Sequence, residues 1–208
     1  MVTVNREQLL VELVDRAGAA VGACPVAEAH TAPGRRHRAF SVLLYDPAGR
    51  VLLQQRAAVK TRFAQRWSNT CCGHPAPGQD PASAASLRLA EELGITESQI
   101  TPLVEVGAFH YRAADAASGR VEDEWDHVLV ATLTSGVPSP DASEVGDVRW
   151  ASPAALAAEI IAGGAGFTPW LSGVLGLAGG APPVGRVGQG SRVGRVREGS
   201  QEGHRHDT

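Results

Sequence analysis

Trp67-Ser68-Asn69-Thr70-Cys71-Cys72-Gly73-His74-Pro75 places two cysteines, a glycine and a histidine in four consecutive positions. The proline that closes them cannot continue a central strand, so the backbone turns through this stretch. Two small buried hydrophobes and a satisfied loop histidine would account for the same residues, so the flanks decide between scaffold and chemistry. On the N-terminal side Arg56, Lys60, Arg62 and Arg66 put four cations into eleven residues. Such a run is either a solvated basic face or a clamp for an anion, and a polar loop beside it suits phosphate better than a core. On the C-terminal side Asp80-Pro81 opens a helix that Gly94 closes: a capping carboxylate, a proline at the first helical position and a glycine for the left-handed end. Ala82, Ala85, Leu89 and Leu93 recur at helical spacing and face the core, while Arg88 and Glu92 share another face as an i,i+4 pair.

Further out, Ala39 to Tyr45 and Val51 to Arg56 are β-rich runs joined by Asp46-Pro47-Ala48-Gly49-Arg50, a β-hairpin. Leu9 to Val14 reads as a core strand ending in the turn Asp15-Arg16-Ala17-Gly18. Gly22 to His37 reads as a loop, with His30 and His37 seven positions apart, a spacing that fits neither a helix face nor a strand face. Leu103 to Tyr111 is a strand, Ala113 to Gly119 a loop, and Val121 to Leu133 a longer strand on which Glu122, Glu124 and Asp126 project from one face. Three acids on an inward face call for a cation. Glu144 to Trp150 supplies another strand, Ser152-Pro153 starts a short helix, and Phe167-Thr168-Pro169-Trp170 leads into a last apolar helix ending near Ala178. After Gly179 the chain alternates glycine, arginine and valine, Val184-Gly185-Arg186-Val187 being echoed by Val193-Gly194-Arg195-Val196, which reads as a flexible basic tail.

A chain of 208 residues with 43% hydrophobic content and a net charge of −3 builds one core. Three cysteines, two of them adjacent, are no disulfide framework and fit a reducing cytoplasm. Met1 to Leu10 carries Arg6, Glu7 and Gln8 and so offers no apolar signal core, and no run is long enough to span a bilayer. The expectation is a cytoplasmic protein with neither a membrane nor a nucleic-acid partner, whose basic clusters bind small anions such as diphosphates.

His30, His37, His74, Glu122 and Glu124 form a nitrogen and oxygen set suited to a divalent ion, Mn²⁺, Mg²⁺ or Zn²⁺. Cys72, two residues from His74, would lie beside it. At this point the chain resembles a known family. His30-Thr31-Ala32-Pro33-Gly34-Arg35-Arg36-His37-Arg38-Ala39-Phe40-Ser41, the stretch Trp67 to Pro75, Glu91-Glu92-Leu93-Gly94, Glu122-Asp123-Glu124 and Thr168-Pro169-Trp170 together resemble the type 1 isopentenyl-diphosphate isomerases of the Nudix fold. The resemblance runs from about Leu9 to Ala178 and matches in order and spacing.

That resemblance implies an α+β fold, a Nudix-type α/β/α sandwich on a mixed β-sheet, with one domain over 1–178 and a tail over 179–208. It implies conversion of isopentenyl diphosphate to dimethylallyl diphosphate through a tertiary carbocation, Cys72 and Glu124 handling the two proton transfers from opposite faces of the alkene. Tyr111 would hydrogen-bond nearby, and Trp170 would offer its ring to the cation. Arg56, Lys60 and Arg88 match the family's diphosphate-binding positions. His30, His37, His74, Glu122 and Glu124 would hold Mn²⁺ or Zn²⁺, while Glu92 and the Cys72 backbone would hold a Mg²⁺ that bridges to the diphosphate. A monomer is expected, and a homodimer is compatible with the same reading.

Two departures accompany it. Where Nudix hydrolases carry the glutamates and arginine of their metal-binding box, this chain has Gln79, Leu87 and Arg88, leaving only Glu91 and Glu92, which disfavours the alternative of a diphosphate hydrolase. Where the family has a diphosphate-binding lysine four residues before the first histidine, this chain has Val26, and one lost charge-assisted contact costs roughly 1.5–3 kcal/mol. Arg35 or Arg36 are the nearby candidates to compensate. A non-enzymatic, metal-stabilised domain is the further alternative. A thiol nucleophile is the poorest reading, because the acids around Cys72 raise its pKa.

Overall fold

The structure is a computed structural model and describes residues 5–163 and 166–179. The strand β3 (His37–Tyr45) is its axis. Along its whole length β3 pairs in parallel with β8 (Arg120–Thr132), from His37 opposite Glu124 to Tyr45 opposite Thr132. On its other edge it meets three partners in turn, all antiparallel: β1 (Leu10–Val14) at His37, β6 (Cys71–Gly73) at Phe40 to Val42, and β4 (Val51–Arg56) at Tyr45. Strands β2 (Ala20–Pro25), β5 (Trp67–Ser68), β7 (Val104–Asp115) and β9 (Val145–Ala151) extend this sheet, which counts nine strands among the described residues.

Side chains of β3 alternate between two cores, as strand geometry requires. Phe40, Val42 and Leu44 pack with Ala84, Ala85, Leu89 and Leu93 of helix α2 (Pro81–Leu93). Leu43 and Tyr45 pack on the opposite face with Leu156 of α3 (Pro153–Gly163) and Leu171 and Val174 of α4 (Leu171–Leu177). The expected α/β/α sandwich on a mixed sheet is therefore present. The caps of α2 follow its sequence: the Asp80 carboxylate accepts from the Ser83 amide at 2.9 Å, and Gly94 takes a left-handed φ of 64°.

Three expectations need correction. The run Gly22 to His37 is not wholly loop: it holds most of β2 and the four-residue helix α1 (Val26–Ala29). β2 is exposed at four of its six positions, so it carries no apolar alternation, and α1 is too short to show a period. The turn Ala113 to Gly119 begins later than expected, because β7 stays paired with β8 out to Asp115 opposite Arg120. The hairpin of β3 and β4 is joined at Tyr45 and Val51 and then splays. β6 and the loop leading into it occupy the gap, which is how the cysteine pair reaches the centre of the sheet. The tail 179–208 lies outside the described residues after Gly179.

Candidate active site

The period of two separates the adjacent cysteines. Cys71 is fully buried among the α2-facing residues, whereas Cys72 turns to the other side and lines a cavity of about 500 Å³. Glu122, Glu124, His74, Tyr111, Trp170, Arg56, Lys60, Arg62 and Arg88 line the same cavity. Cys72, Glu122, Glu124, both aromatic residues and four of the cations thus face one space, whereas Glu92, Asp126 and Arg66 do not line it.

At one end the five predicted metal ligands come together. The termination of α1 delivers His30, the start of β3 delivers His37, the segment after β6 delivers His74, and β8 delivers Glu122 and Glu124. One ligand atom from each lies within 4.8 Å of all the others. His30 Nδ1 lies 2.8 Å from the Val26 carbonyl and His37 Nδ1 lies 2.7 Å from the Arg35 carbonyl. These bonds place a proton on Nδ1 and turn each Nε2 inward, where it serves as a ligand once it carries no proton itself. Glu124 Oε1 is the focus, 2.9 Å from His74 Nε2, 3.4 Å from His37 Nε2 and 3.7 Å from His30 Nε2. His30 Nε2 and Glu122 Oε2 approach to 2.7 Å without hydrogen-bond alignment, and these two atoms and His37 Nε2 are buried with no hydrogen-bond partner. Buried lone pairs aimed at one point are costly unless a cation takes them, so the donor set fits a divalent ion.

Proton equilibria in the metal-free protein reflect the same crowding. Burial works against a charge on His30, but Glu122 and Glu124 outweigh it and raise its pKa to about 9. Burial takes His74 down to about 3. Burial favours the neutral form of Glu124, but the three histidines around its carboxylate outweigh it and hold Glu124 well below the usual carboxylate range. The inward acidic face divides: Asp126 stays outside the cluster, its pKa raised by burial and by the charge of Glu124, and it accepts from the Ser41 hydroxyl at 2.8 Å. The cation expected for three acids serves two.

Between the cluster and the cavity's far end lie the thiol and the aromatic rings. Tyr111 donates to Glu124 Oε2 at 2.5 Å. The Trp170 ring is tilted 31° to that of Tyr111 at a centroid distance of 5.5 Å, and it is held by Nε1–H donating to Asn69 Oδ1 at 3.0 Å. The Arg56 guanidinium lies 5.8 Å from the centre of the Trp170 ring and 3.7 Å from Cys72 Sγ. The Arg62 carbonyl aims it, accepting from Arg56 Nε at 3.1 Å and Nη2 at 2.9 Å. Burial, opposed by the Arg56 charge and aided by Glu92 and Glu124, pushes the Cys72 thiol up to about 12, so the sulfur carries its proton at neutral pH.

The far end is cationic. Arg88 pairs with Glu92 and with Glu91, the latter at 2.7 Å, and Lys60 lies 3.9 Å from Glu92. Gln54 Nε2 donates to the other Glu92 oxygen at 3.2 Å. Glu92 is thus engaged by protein donors on both carboxylate oxygens. Nothing in the sequence singles out Glu144, yet its carboxylate pairs with Lys60 and lies 3.3 Å from Arg88. Arg62, in the sequence merely one cation of a run, bridges Glu7 at 2.9 Å and Glu122 at 3.3 Å. No short-range pattern marks Glu144, Glu7 or Arg6, whose places depend on packing between distant segments. Val26 lines the cavity as an apolar wall. Arg35 pairs with Glu28, and Arg36 with Asp123 at 3.2 Å, and neither lines the cavity.

A family profile described as NUDIX domain matches residues 35–171. The fold is shared with solved structures, among them DR0079 from Deinococcus radiodurans, with a TM-score of 0.65 at 16% identity over 80% of this chain and 96% of that one. A MutT protein from Methanosarcina mazei Go1 gives 0.55 at 13% identity over 68% and 91%. The class is therefore that of the Nudix proteins. Within it, an isopentenyl-diphosphate Delta-isomerase of Nocardia farcinica is 63% identical over 82% of this chain and 95% of its own length. One from Streptomyces griseus subsp. griseus is 45% identical over 83% and 84%, and one from Halorhodospira halophila 41% over 77% and 89%. The chain belongs to the isopentenyl-diphosphate Delta-isomerase family.

Proposed function

We infer that the chain isomerises isopentenyl diphosphate to dimethylallyl diphosphate, a step of isoprenoid biosynthesis, and we propose the following roles for its residues. The observation that carries the reading is that a protonated thiol and an ionised carboxylate, Cys72 and Glu124, line one cavity between an aromatic wall and a set of cations. Moving a double bond by one carbon requires a proton to arrive at one carbon and another to leave its neighbour. Two groups of opposite protonation state meet that need, and by microscopic reversibility whichever donates in one direction accepts in the other. Tyr111, bonded to Glu124 at 2.5 Å, steadies the carboxylate and shares its proton.

The tertiary cation between the two transfers is open to water. Trp170 is almost fully buried and presents a ring fixed by Asn69, which stabilises positive charge by cation–π attraction and excludes solvent. Arg56, Lys60 and Arg88 bind the diphosphate. His30, His37, His74, Glu122 and Glu124 would hold Mn²⁺ or Zn²⁺, and Glu92 with the Cys72 backbone would hold Mg²⁺. Bound there, such ions would supply fixed positive charge beside Glu124 and the diphosphate. The hydrolase alternative lacks two of its carboxylates: Gln79 accepts from the Ala76 amide at 2.9 Å and Arg88 faces the cavity as a cation, while Leu87, at the arginine position, is exposed.

The test is proton exchange by NMR with isopentenyl diphosphate, Mg²⁺ and Mn²⁺ in D₂O. Dimethylallyl diphosphate together with deuterium in the recovered substrate is the expected result. Unlabelled, unconverted substrate with the metal site filled would overturn the reading, and phosphate release from nucleoside diphosphates would favour the hydrolase.

A further inference from the structure

The carboxylate of Glu144 is shared by three cations that border the cavity: Lys60, Arg88 at 3.3 Å and Arg6 Nε at 3.2 Å. One negative charge cannot neutralise three positive ones, and Glu91 and Glu92 take up the rest, with Arg6 Nη2 2.7 Å from Glu91. Glu144 is itself well placed. Its carbonyl accepts from the Ala57 amide at 3.1 Å and its amide donates to the Asp141 carbonyl at 2.9 Å, at the entry to β9. Burial favours its neutral form, but Lys60, Arg88 and Arg6 outweigh that and keep it ionised.

Arg6 belongs to a 3-10 turn, Arg6–Gln8, none of whose residues is buried. No apolar packing of that turn explains its position over the cavity. Its side chains hold it there by charge: Arg6 through Glu91 and Glu144, and Glu7 through Arg62 at 2.9 Å and the Thr61 hydroxyl at 3.0 Å. A guanidinium presents a planar fork of donors that matches phosphate oxygens, and a diphosphate carries more charge than the single carboxylate it would replace.

We propose that Arg6 is a further diphosphate-binding residue, and that Glu144 is an internal anion that holds Arg6, Lys60 and Arg88 in position while the cavity is empty and yields them to the diphosphate. The proposal rests on the reading of this cavity as the diphosphate site. It deepens that reading in two ways: it brings the N-terminal turn into substrate binding, and it makes an acid of the site a competitor of the substrate.

The experiment is calorimetric titration of inorganic diphosphate with Mg²⁺ into the full, metal-loaded chain, alongside steady-state kinetics with isopentenyl diphosphate. Arg6→Met weakens diphosphate binding and raises KM by on the order of tenfold, the loss of one charge-assisted contact, with kcat within about twofold. Arg6→Lys recovers part of that loss. Because Arg6 is half-exposed, its variants keep the parent melting temperature. Glu144→Gln tightens diphosphate binding several-fold, whereas an acid that merely scaffolded the cations would weaken it on removal. Parent protein that binds no diphosphate would sink the cavity reading and this proposal with it. Parent binding matched by Arg6→Met overturns the role of Arg6 alone, and weaker binding by Glu144→Gln overturns the role of Glu144.

Discussion

The two ends of the cavity are built on opposite principles. At the His30, His37, His74, Glu122 and Glu124 end, ligand atoms are gathered within 4.8 Å of one another, and His30 Nε2, His37 Nε2 and Glu122 Oε2 are buried without a hydrogen-bond partner. At the Arg6, Lys60 and Arg88 end, every charge already has a protein partner, Glu91, Glu92 or Glu144. The first end offers a donor set that suits a resident divalent ion. The second end is complete and must exchange partners to bind, which suits a substrate that comes and goes. A buried set of like groups costs several kcal/mol if left uncompensated, whereas exchanging one anion for another leaves no charge without a partner.

The largest effect that would test this contrast lies between the two ends. Cys72→Ala lowers turnover by about 10²–10⁴-fold, the usual contribution of a positioned acid or base, and leaves metal content unchanged. Cys71→Ala, next to it but facing the α2 core, leaves kcat within a few-fold and is seen instead as a lower melting temperature. Equal losses of turnover in both would break the assignment of one cysteine to chemistry and one to packing.

A smaller effect separates the ends by pH. A ligand histidine must be neutral, yet His30 in the metal-free protein holds a proton up to about pH 9. Metal binding at pH 7 therefore expels close to one proton, and affinity rises up to tenfold per pH unit until it levels near 9. Titrations of Mn²⁺ in buffers of different ionisation enthalpy measure that proton directly; none released would mean that Glu122 and Glu124 do not hold His30 protonated at pH 7. In the metal-free protein the sign of the stability effect is opposite. The His30 pKa is raised above the usual 6.5, so the stabilisation from its pairing with Glu122 is fully present below 6.5 and lost as pH rises through about 9.

The smallest expected effect sharpens the cationic end. Val26→Lys puts an ammonium on a wall of the cavity that is now apolar. It lowers KM for isopentenyl diphosphate a few-fold, in kinetics at fixed Mg²⁺, without changing Mn²⁺ affinity. A change in metal affinity instead would mean that the two ends are not independent.

Much of the site is legible in the amino-acid sequence because its residues fall in local patterns. The Asp80, Pro81 and Gly94 caps of α2, the period-two acids of β8 and the Cys-Cys-Gly-His run each use a spacing set by backbone geometry. His30 and His37 can be named from the sequence as ligands but not placed. α1 and β2, which lead into His30, are too short or too exposed to leave a periodic trace, and His37 is placed only by the pairing of β3 with β1 and β8.

Local order and residue chemistry settled the helices, most of the strands, the family resemblance and the donor types, since those depend on a few neighbouring positions. Packing settled the rest. The splaying of β3 from β4 lets β6 into the centre of the sheet, the pleat sends Cys71 inward and Cys72 to the cavity, and the fold brings Arg6, Glu92 and Glu144 from remote segments onto one group of cations. Such contacts join residues up to 138 positions apart, as with Arg6 and Glu144. No period in the chain encodes them, because they arise only when two cores close on both faces of one sheet.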